Sequence, residues 1–313
     1  MGTIEKKLLN SLLHKLIIGI KDWTAEELQF YKNNAALVEQ RLHDYSEDVF
    51  VAPYAEFSYL ERCLMRKQLG VKRIISKPTA ILLSLYASYQ DKDETVAIVV
   101  IENDCFDVGL FGTGSGVFEE LRLRHGSVDT LTKSCDSIMQ SVEHSIDSLL
   151  IVHNGDVDPY IIKQIEACFK LKATLRSGLQ DLLVRGTYVL SGVLYGIVSN
   201  CILIPLQQYP IYCEFENGDA FELLKPNVVP TRHETTITTQ IGPHNRNLWI
   251  RERCNEYNSS PLAFLRLPYS KLSSNRECKV KITLDIDANY KLNMKIVDLD
   301  SNNEYSIKYL VWE

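Results

Sequence analysis

Residues 71–119 read VKRIISKPTAILLSLYASYQDKDETVAIVVIENDCFDVGLFGTGSGVFE, and the order of signals within them decides the fold. A short β-rich run at 71–75 meets Pro78, whose fixed φ suits the first turn of a helix, and apolar positions then recur at helical spacing over 80–89. A charged break at 91–94 separates this helix from two apolar runs of strand length, 96–101 and 106–111. Gly112-Thr-Gly-Ser-Gly116 predicts a turn into a third strand at 117–121. Glycines in that pattern also suggest a phosphate loop. Such a loop runs from a strand into a helix N-terminus, whereas this one runs from strand to strand, so a hairpin turn is expected.

Working outward, 1–20 is weakly patterned, with a strand expected at 16–20. Thr24-Ala-Glu-Glu27 is a capping box that opens a helix reaching to about residue 43. A strand at 48–53 ends on Pro53, and a helix at 57–69 is closed by Gly70. Beyond residue 119 the pattern predicts a helix at 127–145, a buried strand at 146–152, a helix at 159–169 and a longer helix at 179–198 carrying Gly186, Gly192 and Gly196. Residues 199–204 form a short apolar connector. From 205 to 313 the pattern changes to short alternating strands with polar turns, the signature of an all-β sandwich. Its clearest marker is 279–294, where Val280, Ile282, Leu284 and Ile286 alternate with polar residues before a turn at 287–289 and a strand at 292–297.

Arg73-Ile-Ile-Ser-Lys-Pro-Thr-Ala80, Cys105-Phe-Asp-Val-Gly-Leu-Phe111 and Gly116-Val-Phe-Glu119 resemble three consecutive blocks of the heat shock protein 70 family. Residues 151–165 are similar to the family's adenosine-binding strand-turn-helix, and Leu183-Val-Arg-Gly186 to its glycine block. Residues 224–231 and 279–294 are similar to its substrate-binding β-domain, so the likeness extends over about residues 22 to 310. The resemblance implies an α/β actin-like (ribonuclease H-like) ATPase-domain remnant over 1–198, a linker at 199–204 and a β-sandwich substrate-binding-like domain over 205–313. It also implies three departures from ordinary members. The first lobe with its phosphate loop, the adenine-clamping subdomain between residues 119 and 127, and the C-terminal helical lid are expected to be absent.

The composition fits this organisation. The chain has 313 residues, 45% apolar and 24% charged, enough for two domains with real cores. Its net charge of -6, with no Lys/Arg run interleaved with aromatics, gives no electrostatic footprint for nucleic acid. No apolar stretch approaches the roughly 20 residues that span a bilayer, and the N-terminus does not read as a signal peptide. A cytoplasmic location without membrane contact is expected. The eight cysteines show no C-x-x-C and no histidine at ligand spacing, so reduced core thiols are expected, with no disulfide and no zinc.

Binding ATP phosphates takes backbone N–H groups turned inward by glycines and a magnesium held by carboxylate. The resemblance puts the family's second phosphate loop, Asp-Leu-Gly-Gly-Gly-Thr, on Val100, Ile101, Glu102, Asn103, Asp104 and Cys105. Two acids and an asparagine replace three glycines, and a valine replaces the metal-side aspartate. Each new acid would repel phosphate by about 1 kcal/mol even when well solvated. The glutamate implied before Pro78 is Lys77, the paired glycines of the adenosine loop are His153 and Asn154, and the adenine-stacking arginine falls near Val157. The resemblance also places Gly186, in the glycine block, among the nucleotide positions. His153 beside Asp156 has the residue types for acid/base work, but a solvated turn is the expected reading of the pair. In the β-domain, the resemblance places the peptide-gripping loops near Ala220 and Gln240 and the apolar pocket near Leu248 or Ile250. Those two leucine and isoleucine side chains could equally be sandwich core.

The expectation is a chaperone-like protein that has lost ATP hydrolysis, needs no cofactor, and binds an extended polypeptide or a J-domain-type co-chaperone, by analogy with lidless members of ribosome-associated complexes. The rivals are an active ATP-dependent chaperone with diverged nucleotide loops, using ATP and magnesium, and a decayed gene product that does not unfold cooperatively.

Overall fold

The computed structural model describes residues 3–18, 22–52, 65–86, 93–140, 145–207, 209–226, 233–242, 245–253, 259–267, 276–286, 291–300 and 304–310. The chain is mixed α/β and divides into two compact units, Met1–Glu56 with Gly70–Ile204, and Pro205–Glu313 with Phe57–Leu69. The boundary at Ile204 falls where the sequence pattern changes. The expected helix at 57–69 is seen at its end, residues 65–69, and Gly70 follows it at φ +69; the rest of that segment lies outside the described residues.

In the first unit the chain forms α1 (Thr3–Ile18), α2 (Ala25–Ser46), β1 (Val49–Val51), β2 (Arg73–Ile75) and α3 (Lys77–Tyr86). It continues through β3 (Glu94–Glu102), β4 (Cys105–Gly114), β5 (Val117–Ser127), a 3-10 turn Val128–Thr130, α4 (Leu131–Gln140), β6 (Ser148–His153), α5 (Pro159–Phe169), β7 (Ala173–Arg176), α6 (Leu179–Leu194) and β8 (Ile202–Ile204). β3, β4 and β5 are an antiparallel meander; β6 and β7 add in parallel on one side and β8 on the other, giving the order β7-β6-β3-β4-β5-β8. β1 and β2 pair separately, in parallel.

Several expectations change. Residues 16–18 are helical, because Leu9, Leu12, Leu13 and Ile17 share one helix face and are all buried. The apolar connector 199–204 contributes β8, which pairs with Val117–Glu119. The 112–116 turn contracts to Ser115 and Gly116, at φ 48 and 78, the two-residue geometry that suits a right-twisted hairpin. Gly112 and Gly114 belong to β4, so no phosphate loop forms there. β5 runs unbroken to Ser127, past the strand expected at 117–121, and the 3-10 turn Val128–Thr130 leads into α4. The helix expected to reach residue 145 is described to Gln140, and Ser145 is not helical. α6 stops at Leu194, with Gly196 at φ +67 just beyond it.

Strand alternation assigns the two faces of the sheet. Ala97, Val99, Ile101, Phe106, Val108 and Leu110 pack with Leu131, Cys135 and Ile138 of α4 and Ile165 and Phe169 of α5. The opposite face carries α3, which contacts β3 and β4 and crosses α6. There the backbones approach so closely that a Cβ on Gly186 would lie 1.9 Å from the Ala80 carbonyl oxygen.

The capping box forms as expected. Thr24 Oγ1 accepts from the Glu27 N–H at 3.1 Å, and Glu27 Oε2 accepts from the Thr24 N–H at 2.8 Å. Glu27 also ties α2 to α1, accepting from Lys15 Nζ at 2.7 Å and Ser11 Oγ at 2.5 Å. Hydrogen bonds from Lys15 and Ser11 outweigh burial and hold its carboxyl down at about 2. A depressed carboxyl contributes stability above its unfolded value of 4.5, and loses it as pH falls towards 2. Glu27→Gln is therefore expected to destabilise the first unit by about 2–3 kcal/mol at pH 7. Urea titrations of the two proteins should converge between pH 4.5 and 2; an unchanged gap would refute this role.

The second unit contains β9 (Ile211–Phe215), β10 (Ala220–Leu224), β11 (His233–Ile241), β12 (Asn247–Arg253), β13 (Ser259–Arg266), β14 (Arg276–Ile286), β15 (Lys291–Asp298) and β16 (Glu304–Leu310). They form two antiparallel sheets, β10-β9-β12-β13 and β11-β14-β15-β16. Val280, Ile282, Leu284 and Ile286 are buried as their alternation predicts, whereas the 287–289 turn lies outside the described residues. The six described cysteines are unpaired, and burial pushes the Cys135, Cys201 and Cys213 thiols up to about 12. No described helix is long and apolar enough to cross a membrane.

Candidate functional site

Apart from Gly186, the positions singled out in the first unit lie towards one end of the sheet, where α3 begins and the β3–β4 hairpin turns. Ser76 caps α3, its Oγ accepting from the Thr79 N–H at 3.1 Å, with Pro78 in the first turn. Thr79 Oγ1 in turn donates to Glu120 Oε1 at 2.6 Å, a buried bond that fixes the helix start against β5. These contacts aim Lys77 at the hairpin. Its Nζ lies 2.5 Å from Glu102 Oε2 and 3.7 Å from Asp107 Oδ2. On the far side of Asp107, Oδ1 is 2.9 Å from His125 Nδ1.

Lys77, Glu102, Asp107 and His125 are thus one connected polar group. Burial pulls the Lys77 ammonium down, but the Glu102 hydrogen bond and the Asp107 charge outweigh it and raise the ammonium above its ordinary value. A lysine whose carboxylate partners are this close is a structural cation. It stays charged at neutral pH and has no tendency to act as a base there.

The residues matched to the phosphate loop form a strand and a tight turn. Val100 is fully buried in β3, and β3 continues through Glu102, which pairs with Cys105 across a two-residue turn. Asn103 takes φ +52 in that turn and Cys105 is exposed. Asn103, Asp104 and Asn154 line one cavity of about 420 Å³, together with Asp129, Asp156 and Asp158. Four carboxylates around that space present the wrong sign for phosphate. His153 Nδ1 faces the Gly155 carbonyl at 2.5 Å, a local contact of the kind expected in a solvated turn. Val157 also lines the cavity. Gly186 is elsewhere, at the α3–α6 crossing, where packing accounts for the glycine. No described group of three His, Cys, Asp or Glu side chains could hold a metal ion.

In the second unit, Ala220 opens β10 and Gln240 lies near the end of β11, both exposed. Leu248 and Ile250 are fully buried on the inner face of β12. An apolar pocket at either would have to be opened out of the core. The outer face of β12 instead presents Trp249, whose ring lies 5.5 Å from that of Phe264. Beside it, Glu214 pairs with Arg251 at 2.8 Å and Arg253 at 2.6 Å.

Asp107 and His125 were not among the residues picked out by sequence. Their signal is the register of β4 against β5, which sets Asp107 opposite His125. No family model matches the chain.

Proposed function

We propose that this protein is a heat shock protein 70-like chaperone subunit that has lost ATP hydrolysis and works as a binding or scaffold component. In this reading the first unit is an actin-like ATPase domain kept for its framework, and the second is a β-sandwich that engages an extended polypeptide or a J-domain-type partner. The observation that carries it is the Lys77 ammonium, 2.5 Å from Glu102 and 3.7 Å from Asp107. An internal cation sits among the carboxylates where the resemblance implies a magnesium–phosphate group, and the adjoining cavity is walled by four aspartates. Two four-stranded antiparallel sheets, each burying one face, support the sandwich half of the reading.

Titration with Mg-ATP and Mg-ADP tests the loss of nucleotide, since a ligand that binds only the folded state must stabilise it. The expected result is no heat by calorimetry and no thermal shift up to roughly millimolar nucleotide, a ceiling weaker than about -4 kcal/mol of binding. Micromolar binding would instead establish the active, ATP-dependent chaperone.

A further inference from the structure

Three cavities in the first unit differ in charge. Two are lined by carboxylates: the one at the hairpin end, and one of about 390 Å³ bordered by Asp93, Glu94, Glu119 and Asp147. The third, about 470 Å³, has the opposite character. Arg176 at the end of β7 and Arg185 on α6 both line it, against a single carboxylate, Glu94, in a chain of net charge -6. Ser148 and Thr174 line it as well, with Leu85 and Leu150 supplying apolar surface. Ser84 of α3 also lines this cavity; it is buried at 4% exposure, and its Oγ has no hydrogen-bond partner. A buried hydroxyl without a partner is unfavourable unless something else supplies the acceptor.

We propose that this cavity is a binding site for a small organic phosphate monoester. The two guanidinium groups would hold the phosphate, whose oxygens also accept from the serine and threonine hydroxyls, while the apolar body of the ligand lies on the leucines. Arginine suits this role because its planar fork matches phosphate geometry and remains charged at all relevant pH. Three phosphate oxygens can meet several donors at once, which a carboxylate with two oxygens does less well. The volume is within the range of ordinary small-molecule sites. The site shares no lining residue with the hairpin-end cavity, so it does not depend on the fate of nucleotide binding there.

The test is calorimetric titration of the full chain at low salt with phenyl phosphate, benzoate and inorganic phosphate as separate probes. Phenyl phosphate is expected to bind with a dissociation constant below about 1 mM, a modest affinity for a ligand of its size. Arg176→Gln should weaken it at least about tenfold, as removal of one charge-assisted contact would, and Ser84→Ala by a smaller factor. Arg176 is exposed, so its variant should fold, which circular dichroism checks. Benzoate binding as tightly as phenyl phosphate would overturn the phosphate assignment, and inorganic phosphate binding equally well would overturn the role of the apolar wall. No saturable binding to roughly 10 mM, or binding unchanged by Arg176→Gln, would overturn the site altogether.

Discussion

Gly186→Ala is expected to destabilise the first unit by about 2 kcal/mol or more, although alanine is the better helix former. Two effects oppose each other. In the interior of α6, alanine should gain about 1 kcal/mol over glycine from propensity alone. Against this, the added Cβ would lie 1.9 Å from the Ala80 carbonyl oxygen and 2.8 Å from its Cα, both on the backbone of α3. No rotamer change relieves a clash with backbone, so the helices must separate, and overpacking of this kind costs on the order of 3 kcal/mol or more. Gly192→Ala is the internal control. Its Cβ would meet side-chain ends, Val198 Cγ2 at 2.8 Å and Ile17 Cδ1 at 3.1 Å, which can shift. It should cost about 1 kcal/mol or less once the propensity gain is included. Urea unfolding of the two variants beside the parent gives the comparison. Equal midpoints for Gly186→Ala and the parent would show that α3 and α6 do not cross as closely as described.

That crossing also shows where sequence reasoning reached its limit. Local signals were legible: the Thr24 capping box forms with both reciprocal bonds, and α5 starts at Pro159, capped by Asp158. The strand order from 96 to 121 is also readable, because hairpins join neighbours in sequence, though the third strand runs on to Ser127. α1 was missed because Asn10, His14 and Lys15 interrupt its apolar run; the helical period survives in Leu9, Leu12, Leu13 and Ile17. Gly186 was assigned to nucleotide by resemblance, and only the approach of a helix about a hundred residues earlier in the chain reveals the packing reason. The contact between Asp107 and His125 escapes sequence reading for a sharper reason. Counting back from the Ser115–Gly116 turn would set Asp107 opposite Arg124, but a bulge between Leu110 and Phe111 shifts the ladder by one and brings His125 to it. A register shift of one residue moves a side chain to the other face, and nothing in the local composition announces it.

Lys77→Glu is expected to cost about 2–4 kcal/mol at pH 7, the range for breaking a partly buried pair and leaving like charges together, reduced for the remaining exposure. The change gives position 77 the residue that the family resemblance implies before Pro78. Here it would place a third carboxylate beside Glu102 and Asp107, whose cation is now Lys77 itself. Lys77→Met removes the cation without adding repulsion and should cost less, about 1–2 kcal/mol. The pH dependence has a definite sign. Crowded carboxyls in the folded Lys77→Glu protein would have raised values, so its deficit relative to the parent should be smallest at low pH and grow as pH rises through them. Magnesium adds a second discriminator. Three carboxylates could share a hard cation, so millimolar magnesium should raise the Tm of Lys77→Glu while leaving the parent unmoved. Thermal melts of the three proteins at pH 5 and pH 8, with and without magnesium, make the comparison. If Lys77→Glu melts with the parent at pH 8, the ammonium does not hold the hairpin to α3. If magnesium stabilises the parent as strongly as the variant, the cation at this end of the sheet is not supplied by the chain, and the reading of a framework without nucleotide loses its main support.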